Sequence, residues 1–464
     1  MQEEQEQQIL SESNGKVTPG DSRAWFQGVP RYAWIVLLVA ALGWLFDTMD
    51  QNLFTLVRNT ALTSLMFPGV AASAITKGQA ALVNQNGANM TAIFLLGWAA
   101  GGLLFGVLGD RLGRTRTMMI TILIYATFTG LSGLTNSVPA FGLFRFLTGL
   151  GVGGEWAAGA ALVSEVFPSR SRPMALGLLQ SLSAVGNMLA AIINLLLNSI
   201  HIAGDIWRWA FAIGTLPALV VLWIRLSIRE PEPWQQAKRE AESSGSKELG
   251  GIGQLFAEPA LRRNTIGATL MAAAGVGGLW GIGVFTPELV KVVLEPLHLS
   301  SSALGKNVSY VFMVQQMGGF LGMYSYAFFA EKTTRRVSLA VFFVLAFCAV
   351  QCMFWLAHDL RSLLVLAPIL GFCTLGPFAA YTVYFPELFP TRLRATGCGF
   401  CYNCARLLAA TAPFALGGLA KHFADKDHPD IGLRIAASLV ALIYCVGFVG
   451  IAIAPETKGK PFPL

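Results

Sequence analysis

Charge is scarce in this chain of 464 residues. Asp, Glu, Lys and Arg make up 13% of it, while 54% is hydrophobic; soluble domains carry about 25% charged residues. That balance excludes the soluble globular class. Other absences narrow the chemistry. No Cys/His spacing suits zinc, no nucleophile–base set is visible, and the "GVGG" run at 151–154 lies inside an apolar segment rather than in a strand–turn–helix. No metal, cofactor, nucleotide-driven pump or enzymatic reaction is therefore expected. The seven cysteines all fall in expected helices, so a disulfide framework is not expected. Cys398, Cys401 and Cys404 run at i, i+3 and i+6; small residues for close helix packing are a better reading than a soft-metal stripe. Residues 1–33 are polar and lack an apolar core. They are expected to form a disordered tail, and no cleavable signal peptide is visible.

What the chain does have is apolar runs of roughly 20 residues, long enough to cross a hydrocarbon core of about 30 Å. Twelve can be placed, at 34–57, 90–109, 116–136, 139–163, 173–200, 207–227, 264–288, 306–330, 337–357, 361–385, 395–420 and 432–454. Barrel strands would be about 10 residues long and alternating; these are neither. Residues 228–263 are polar and read as a connector, and 455–464 as a second tail. Lys and Arg concentrate on the segments that are inside if the N-terminus is inside, and only Arg145 and Arg406 lie deep within spans. This positive-inside bias predicts both termini in the cytoplasm of a cell (inner) membrane protein. The net charge of +7 is then a topological signal, with no nucleic-acid partner implied. The outer stretch 58–89 is either a short amphipathic helix over the mouth or a plain insertion.

The chain repeats itself. "SEVFPSRSR" at 164–172 returns as "PELFPTRLR" at 386–394, an offset of 222 positions, each copy following the fourth span of its half. A weaker echo sets "GDRLGRTRTM" (109–118) against "AEKTTRRVSL" (330–339). Duplicated six-helix bundles are the expectation, 34–227 and 264–454. Their loop charges Asp110, Arg111, Arg114, Glu165, Arg172, Glu387 and Arg394 suit gating, as ion pairs that close the inside and break when the bundles rock. The plainer alternative is topological charge plus helix capping.

Buried charge is more specific, because a carboxylate or guanidinium at membrane depth costs about 2.5–3.5 kcal/mol on the mildest scale. Asp47 and Asp50 sit in "GWLFDTMDQNLF" (43–54); their counterparts 222 positions on are Thr269 and Ala272, and that of Arg406 is Ala184. Charges kept in one half only mark a task rather than a fold. At about 1.5 Å per residue, Asp47, Asp50, Arg145 and Arg406 lie about 17–24 Å above the inner face, with Glu155 lower at about 6 Å. Arg406 cannot shed its proton and its fork suits a carboxylate. It serves a substrate anion, with Asn403 and Tyr402 beside it, or else a permanent salt bridge to the first span. An Asp that pairs with Arg145 in one conformation and is desolvated in another would carry a proton; Asp50 matches Arg145 in height and Asp47 is the protonation site, unless one merely neutralises Arg145. Glu155 is a second proton carrier or a structural or gating residue. Trp44, Trp156, Gln180, Asn187, Trp280, Gln315, Gln316, Tyr381 and Tyr384 are candidates for lining a cavity, each with packing as the alternative.

Several motifs together resemble the major facilitator superfamily. "GVLGDRLGRTR" (106–116) is similar to its loop signature and "RFLTGLGVGGE" (145–155) to its fourth-helix pattern. The E-x6-R spacings and "PETKGKPFP" (455–463) resemble its sugar-porter and organic-ion branches. "GMYSYAFFAEKTTRR" (322–336) departs from the signature by lacking its Gly-Asp pair. The resemblance implies twelve transmembrane helices in two pseudo-symmetric bundles. With "GWLFDTMD" (43–50) and Arg406 it also implies the organic-anion/aromatic-acid and metabolite:proton symporter branches. The expectation is a monomeric secondary transporter moving a small organic anion (a monocarboxylate, aromatic acid or sugar acid) with a proton. A neutral sugar or polyol carrier is the alternative, and a non-transporting membrane receptor or sensor the alternative of another class.

Overall fold

The computed structural model describes residues 24–70, 74–199, 205–216, 223, 228–244, 249–282, 286–409, 418–423, 431–461 and 463. Residues 1–23 of the expected tail, the sixth span beyond 216 (except 223) and the eleventh from 410 to 417 lie outside them. Helices account for nearly all of what is described, with no strand among the described residues. The first half comprises α1 (Arg31–Met66), α2 (Lys77–Leu112), α3 (Arg114–Leu134), α4 (Val138–Val166), α5 (Arg172–Ser199) and α6 (Ile206–Ile213). A connector helix α7 (Glu232–Ser244) follows, then α8 (Pro259–Ile282), α9 (Thr286–Leu294), α10 (Ser301–Lys332), α11 (Arg335–Leu356), α12 (Leu360–Leu388), α13 (Arg394–Ala409), α14 (Ile431–Val440) and α15 (Tyr444–Ile453). Eight helices among the described residues are long and apolar enough to cross a membrane. Four further expected spans correspond to α6, α8 with α9, α10 and α13. Two of these are shortened by undescribed residues; α8 carries charge only near its start, at Arg262 and Arg263, and α10 holds Lys306, Asn307, Gln315 and Gln316 within it.

The outer stretch 58–89 differs from both expectations. α1 and α2 are each 36 residues long, about 54 Å at 1.5 Å per residue, so the two helices continue past the apolar core and consume most of that loop. A capping box at Thr76 and Gln79 starts α2, which satisfies its first N–H groups. Arg58 Nη1 donates to Thr91 Oγ1 at 2.5 Å, and Asn59 Nδ2 to Asn84 Oδ1 at 2.9 Å, holding the extensions together.

Glycine sets the closest approaches. A β-carbon on Gly101 would lie 1.9 Å from the Leu150 carbonyl oxygen, and one on Gly153 2.0 Å from that of Trp98, so α2 and α4 touch backbone to backbone. The second half repeats this with Gly322 against Phe372 and Gly371 against Gln315. Without a hydrophobic drive between helices in lipid, such contacts supply the packing energy. Gly153→Val is expected to lower the melting temperature sharply and broaden the monodisperse peak on fluorescence-detected size exclusion. Unchanged behaviour would show the contact to be dispensable. The two halves meet along two seams, α2 against α13 and α5 against α10.

Candidate functional site

The deep charges gather around α1, α4 and α13. Arg406 on α13 is 3% exposed. Its Nη1 donates to Asn403 Oδ1 at 2.7 Å, its Cζ stands 3.8 Å from the Trp98 ring centroid and 4.5 Å from that of Tyr402, and its Nε has no acceptor. Among the described residues no carboxylate lies within ion-pair distance of it. The permanent bridge to the first span is therefore absent. Asn403 is fixed in turn, donating to Gly399 O at 2.8 Å, with its amide against the bare face of Gly102 on α2. Tyr402 stacks on Trp156 of α4, centroids 4.4 Å apart at 24°, and Trp156 Nε1 donates to Gln180 Oε1 on α5 at 3.1 Å. Tyr381 and Phe378 on α12 flank Tyr402 at 6.0 and 6.4 Å. A guanidinium held between two π faces keeps its edge available for a planar anion.

The acids divide into two sets. Asp50 Oδ2 lies 3.6 Å from Arg145 Nη1. Arg145 also donates from Nε and Nη2 to Ser132 at 3.1 and 2.8 Å, and from Nη2 to Thr148 at 3.0 Å, while Phe211 packs over its face at 4.7 Å. Asp47 faces a different group. Its carboxyl interacts with that of Glu155, which rests against the bare Gly43 one turn earlier on α1. The sequence places Glu155 near the inner end of its helix. α4 is instead 29 residues long, about 44 Å against about 30 Å for the core, which leaves Glu155 about 16 Å from its inner end and level with Asp47. Neither carboxyl of this pair receives a hydrogen bond from any described donor.

The remaining candidates fall in several places. Trp44 is buried with its Nε1 unpartnered. Asn52, Asn187 and Gln316 form an amide chain across α1, α5 and α10, at 2.6 and 2.9 Å; Gln315 is buried beside it at the α10–α12 crossing. Tyr381 Oη donates to Met271 O at 2.9 Å and Tyr384 Oη to Pro455 O, so both hydroxyls are engaged by backbone. Trp280 on α8 is half-buried against the core. Cys398 and Cys401 are buried and Cys404 half-buried along α13. Trp98, Tyr125 and Thr396 are not singled out by the sequence. Trp98 alone carries a signal, as the large ring in the glycine-rich "GWAAGG" of the second span.

The face carrying the connector is closed by charge. Glu165 Oε1 receives Arg114 Nη2 at 2.9 Å and, from the other half, Arg394 Nη1 at 2.8 Å, all three side chains fully buried. Arg114 Nη2 also donates to Thr391 O at 2.7 Å and lies 3.1 Å from Asp110. Asp110 caps α13 across the seam, accepting from Ala395 N (3.2 Å), Thr396 N (2.8 Å) and Thr396 Oγ1 (2.6 Å). An acid at a helix N-terminus satisfies orphan N–H groups and the helix dipole together. Arg111 Nε donates to Leu249 O at 3.0 Å in the connector. Arg172 Nη2 donates to Phe167 O at 3.2 Å and lies in the field of Glu387 and Glu165. In the second half Arg335 binds Glu387 at 3.0 Å and Glu331 at 3.5 Å. Glu331 and Arg335 thus stand where Asp110 and Arg114 stand in the first half, despite the missing Gly-Asp pair.

A second symmetric device flanks these pairs. Glu230 accepts from Thr115 N and Arg116 N at 3.3 and 3.0 Å, and Glu456 from Arg335 N and Arg336 N, both at 3.1 Å. Burial pushes the Glu456 carboxyl up, but the N–H groups of Lys458, Arg336 and Arg335 outweigh it and hold the group below its ordinary value. A depressed folded-state value stabilises above the unfolded value and is lost as pH falls through the folded one. Glu456→Gln is therefore expected to lower the melting temperature at about pH 7, with the gap from wild type closing on acidification. A gap that widened in acid would refute this.

The family model of the Major Facilitator Superfamily matches residues 51–413. A Cupriavidus pinatubonensis protein named "Probable 4-methylmuconolactone transporter" is 30% identical over 90% of this chain and 89% of its own. An Acinetobacter baylyi "Cis,cis-muconate transport protein" is also 30% identical, over 70% and 76%. Among solved structures, the proton:xylose symporter XylE has a TM-score of 0.70 at 17% identity, covering 93% of this chain and 98% of that one, a likeness of fold. The family match spans more than half the chain and agrees with twelve helices in two related bundles: this protein is a multi-pass membrane transporter and belongs to the Major Facilitator Superfamily.

Proposed function

We propose that this transporter moves a small organic anion together with a proton, by alternating access between its two bundles. The observation that carries the reading is Arg406: a deeply buried guanidinium with no carboxylate beside it, held between Trp98 and Tyr402. An uncompensated charge in that position costs several kcal/mol, which an anionic substrate would offset on binding. The ring faces around it suit a planar or aromatic carboxylate, and relatives named for muconate and 4-methylmuconolactone support an organic substrate of that size. The helix-one acids with Glu155 are the proton carriers, and the Glu165 cluster with Asp110 is the gate, closed in this conformation. The Lys/Arg asymmetry supports an inner-membrane orientation with both termini cytoplasmic. The unit of transport is the monomer, since each chain holds both bundles and the site between them.

Counterflow in proteoliposomes tests the reading. Benzoate, nicotinate, muconate, a sialic acid, xylose and glycerol would each be offered, with and without an inward proton gradient. Preferred exchange of a carboxylate, accumulated further by the gradient, is expected. A charge-neutral preferred substrate would overturn the anion reading in favour of a sugar or polyol carrier. Binding without accumulation would favour a receptor.

A further inference from the structure

We infer that the exchangeable proton resides between Asp47 and Glu155, and that the Tyr125 hydroxyl completes this site and links it to Asp50. This deepens the symport reading and rests on it for its role in transport, but the site itself is a property of the empty protein. Asp47 and Glu155 are 0% and 1% exposed, and none of their four carboxyl oxygens receives a hydrogen bond from a described donor. Two adjacent carboxylates cannot both remain charged in a dry interior without a cation. Among the described residues, the cations on the elements packed around them lie at the helix ends or are engaged elsewhere, as Arg58 is with Thr91 and Arg114 with Glu165. On α1, Asp50 is taken by Arg145, the sole deep cation of α4. On α2 the ionisable side chains stand at the two ends, Lys77 at one and Asp110 and Arg111 at the other; those of α5 and α6 are Arg172 and Arg208, at the connector face and bonded to Asp205. Arg406 on α13 is enclosed by Trp98 and Tyr402. A proton shared by the pair restores neutrality.

Tyr125 is the independent sign of this site. It lies on α3, fully buried, with an unpartnered hydroxyl in the field of Glu155, Asp47 and Asp50. Gly151, one turn before Glu155, lets α3 approach α4 closely: a β-carbon there would stand 2.7 Å from the Tyr125 amide nitrogen. The Tyr125 hydroxyl makes no hydrogen bond to a described residue in the present conformation; in the proposed transfer it turns to donate its O–H to one carboxyl and accept from the protonated neighbour, so that a proton passes towards the Asp50–Arg145 pair without crossing lipid. Asp50, already compensated, is then the exit and not the resting place. Glu155 also adjoins Trp156, whose ring backs Tyr402 and hence Arg406. Proton and anion sites thus share one turn of α4.

Infrared difference spectroscopy of the reconstituted full-length protein, titrated with pH and with no substrate present, reads this directly. A C=O band of a buried protonated carboxyl is expected, lost in both Asp47→Asn and Glu155→Gln. Glu155→Asp should shift the band without abolishing it, which separates loss of the proton from loss of the fold. Tyr125→Phe should move its frequency with amplitude retained. A wild type without the band, or a band that survives either isosteric variant, would overturn the inference; an unmoved frequency in Tyr125→Phe would remove the tyrosine from it. Because no transported solute is involved, a clear band with no carboxylate uptake would retain the proton site and refute the carrier reading alone.

Discussion

Arg406→Ala is expected to reduce carboxylate uptake by at least about 30-fold in kcat/KM, because truncating one partner of a buried hydrogen-bonded charge pair costs about 2–5 kcal/mol and each 1.4 kcal/mol is about tenfold. The loss should fall on every anionic substrate and spare the fold. The empty protein is expected to become more stable without the arginine, since its buried charge has no carboxylate partner. That opposite sign, a higher melting temperature with lost transport, is what a structural salt bridge could not give. Arg406→Lys should fail almost as badly: an ammonium has neither the planar fork nor the extended face that lies between Trp98 and Tyr402. Asn403→Ala should cost less, since it removes one neutral partner at 2.7 Å and leaves the charge. Uptake assays and thermal unfolding on the same preparations settle all three.

The sequence showed most of the fold because lipid leaves the chain few choices: backbone groups in hydrocarbon must be paired within helices. Apolar runs therefore mark helices almost one for one, and the 222-position echo exposes the duplication. Where the expectation departs, length is the reason. α1 and α2 continue well beyond the hydrocarbon on polar residues such as Arg58, Asn59 and Asn84, held by hydrogen bonds between them, which hydropathy does not register. The same cause misplaced Glu155. The expected height counts down from the outer end across a core of about 30 Å, whereas α4 is 29 residues long, about 44 Å, so its meeting with Asp47 is hidden.

Side-chain partners were less legible than depths. Arg145 and Asp50 match in height and lie 3.6 Å apart, a pairing that helix rise alone could suggest. Nothing in one dimension shows that Trp98 lies over Arg406 or that Tyr125 is buried within the field of the acids, because each arrives from a different helix. Arg335 is not singled out by the sequence for a related reason. The Gly-Asp pair of the signature is missing, and the substitute, Glu331 with Arg335, keeps the i, i+4 geometry with other residues. Spacing is preserved where identity is not.

Glu165→Gln is expected to release the connector face. In the closed form one carboxylate neutralises two guanidiniums from opposite halves, Arg114 and Arg394, at 2.9 and 2.8 Å, with no exposure to water. The isosteric amide keeps the volume and removes the charge. Arg114 retains Asp110 at 3.1 Å, but Arg394 loses the carboxylate that held it across the seam. Breaking a buried pair in this way costs about 3–5 kcal/mol, and all of it falls on the closed state, since separation of the halves rehydrates both arginines. At about 1.4 kcal/mol per decade, the closed-to-open ratio shifts by about two to three and a half orders of magnitude. Cys398 reports this from within the protein, as it is fully buried one turn beyond Arg394, in the field of Asp110 and Arg114. In a background with the other cysteines replaced by serine, its maleimide labelling rate should rise by at least about 30-fold in Glu165→Gln. Asp110→Asn should act in the same direction but less, because its single amide oxygen still accepts from Thr396 N and Oγ1 and only the Ala395 N–H loses its acceptor. Glu387→Gln, in the counterpart pair with Arg335 inside one half, should destabilise that bundle without exposing Cys398. Equal labelling in all three variants would mean that the cluster merely fixes topology, and that some other contact holds the two halves together.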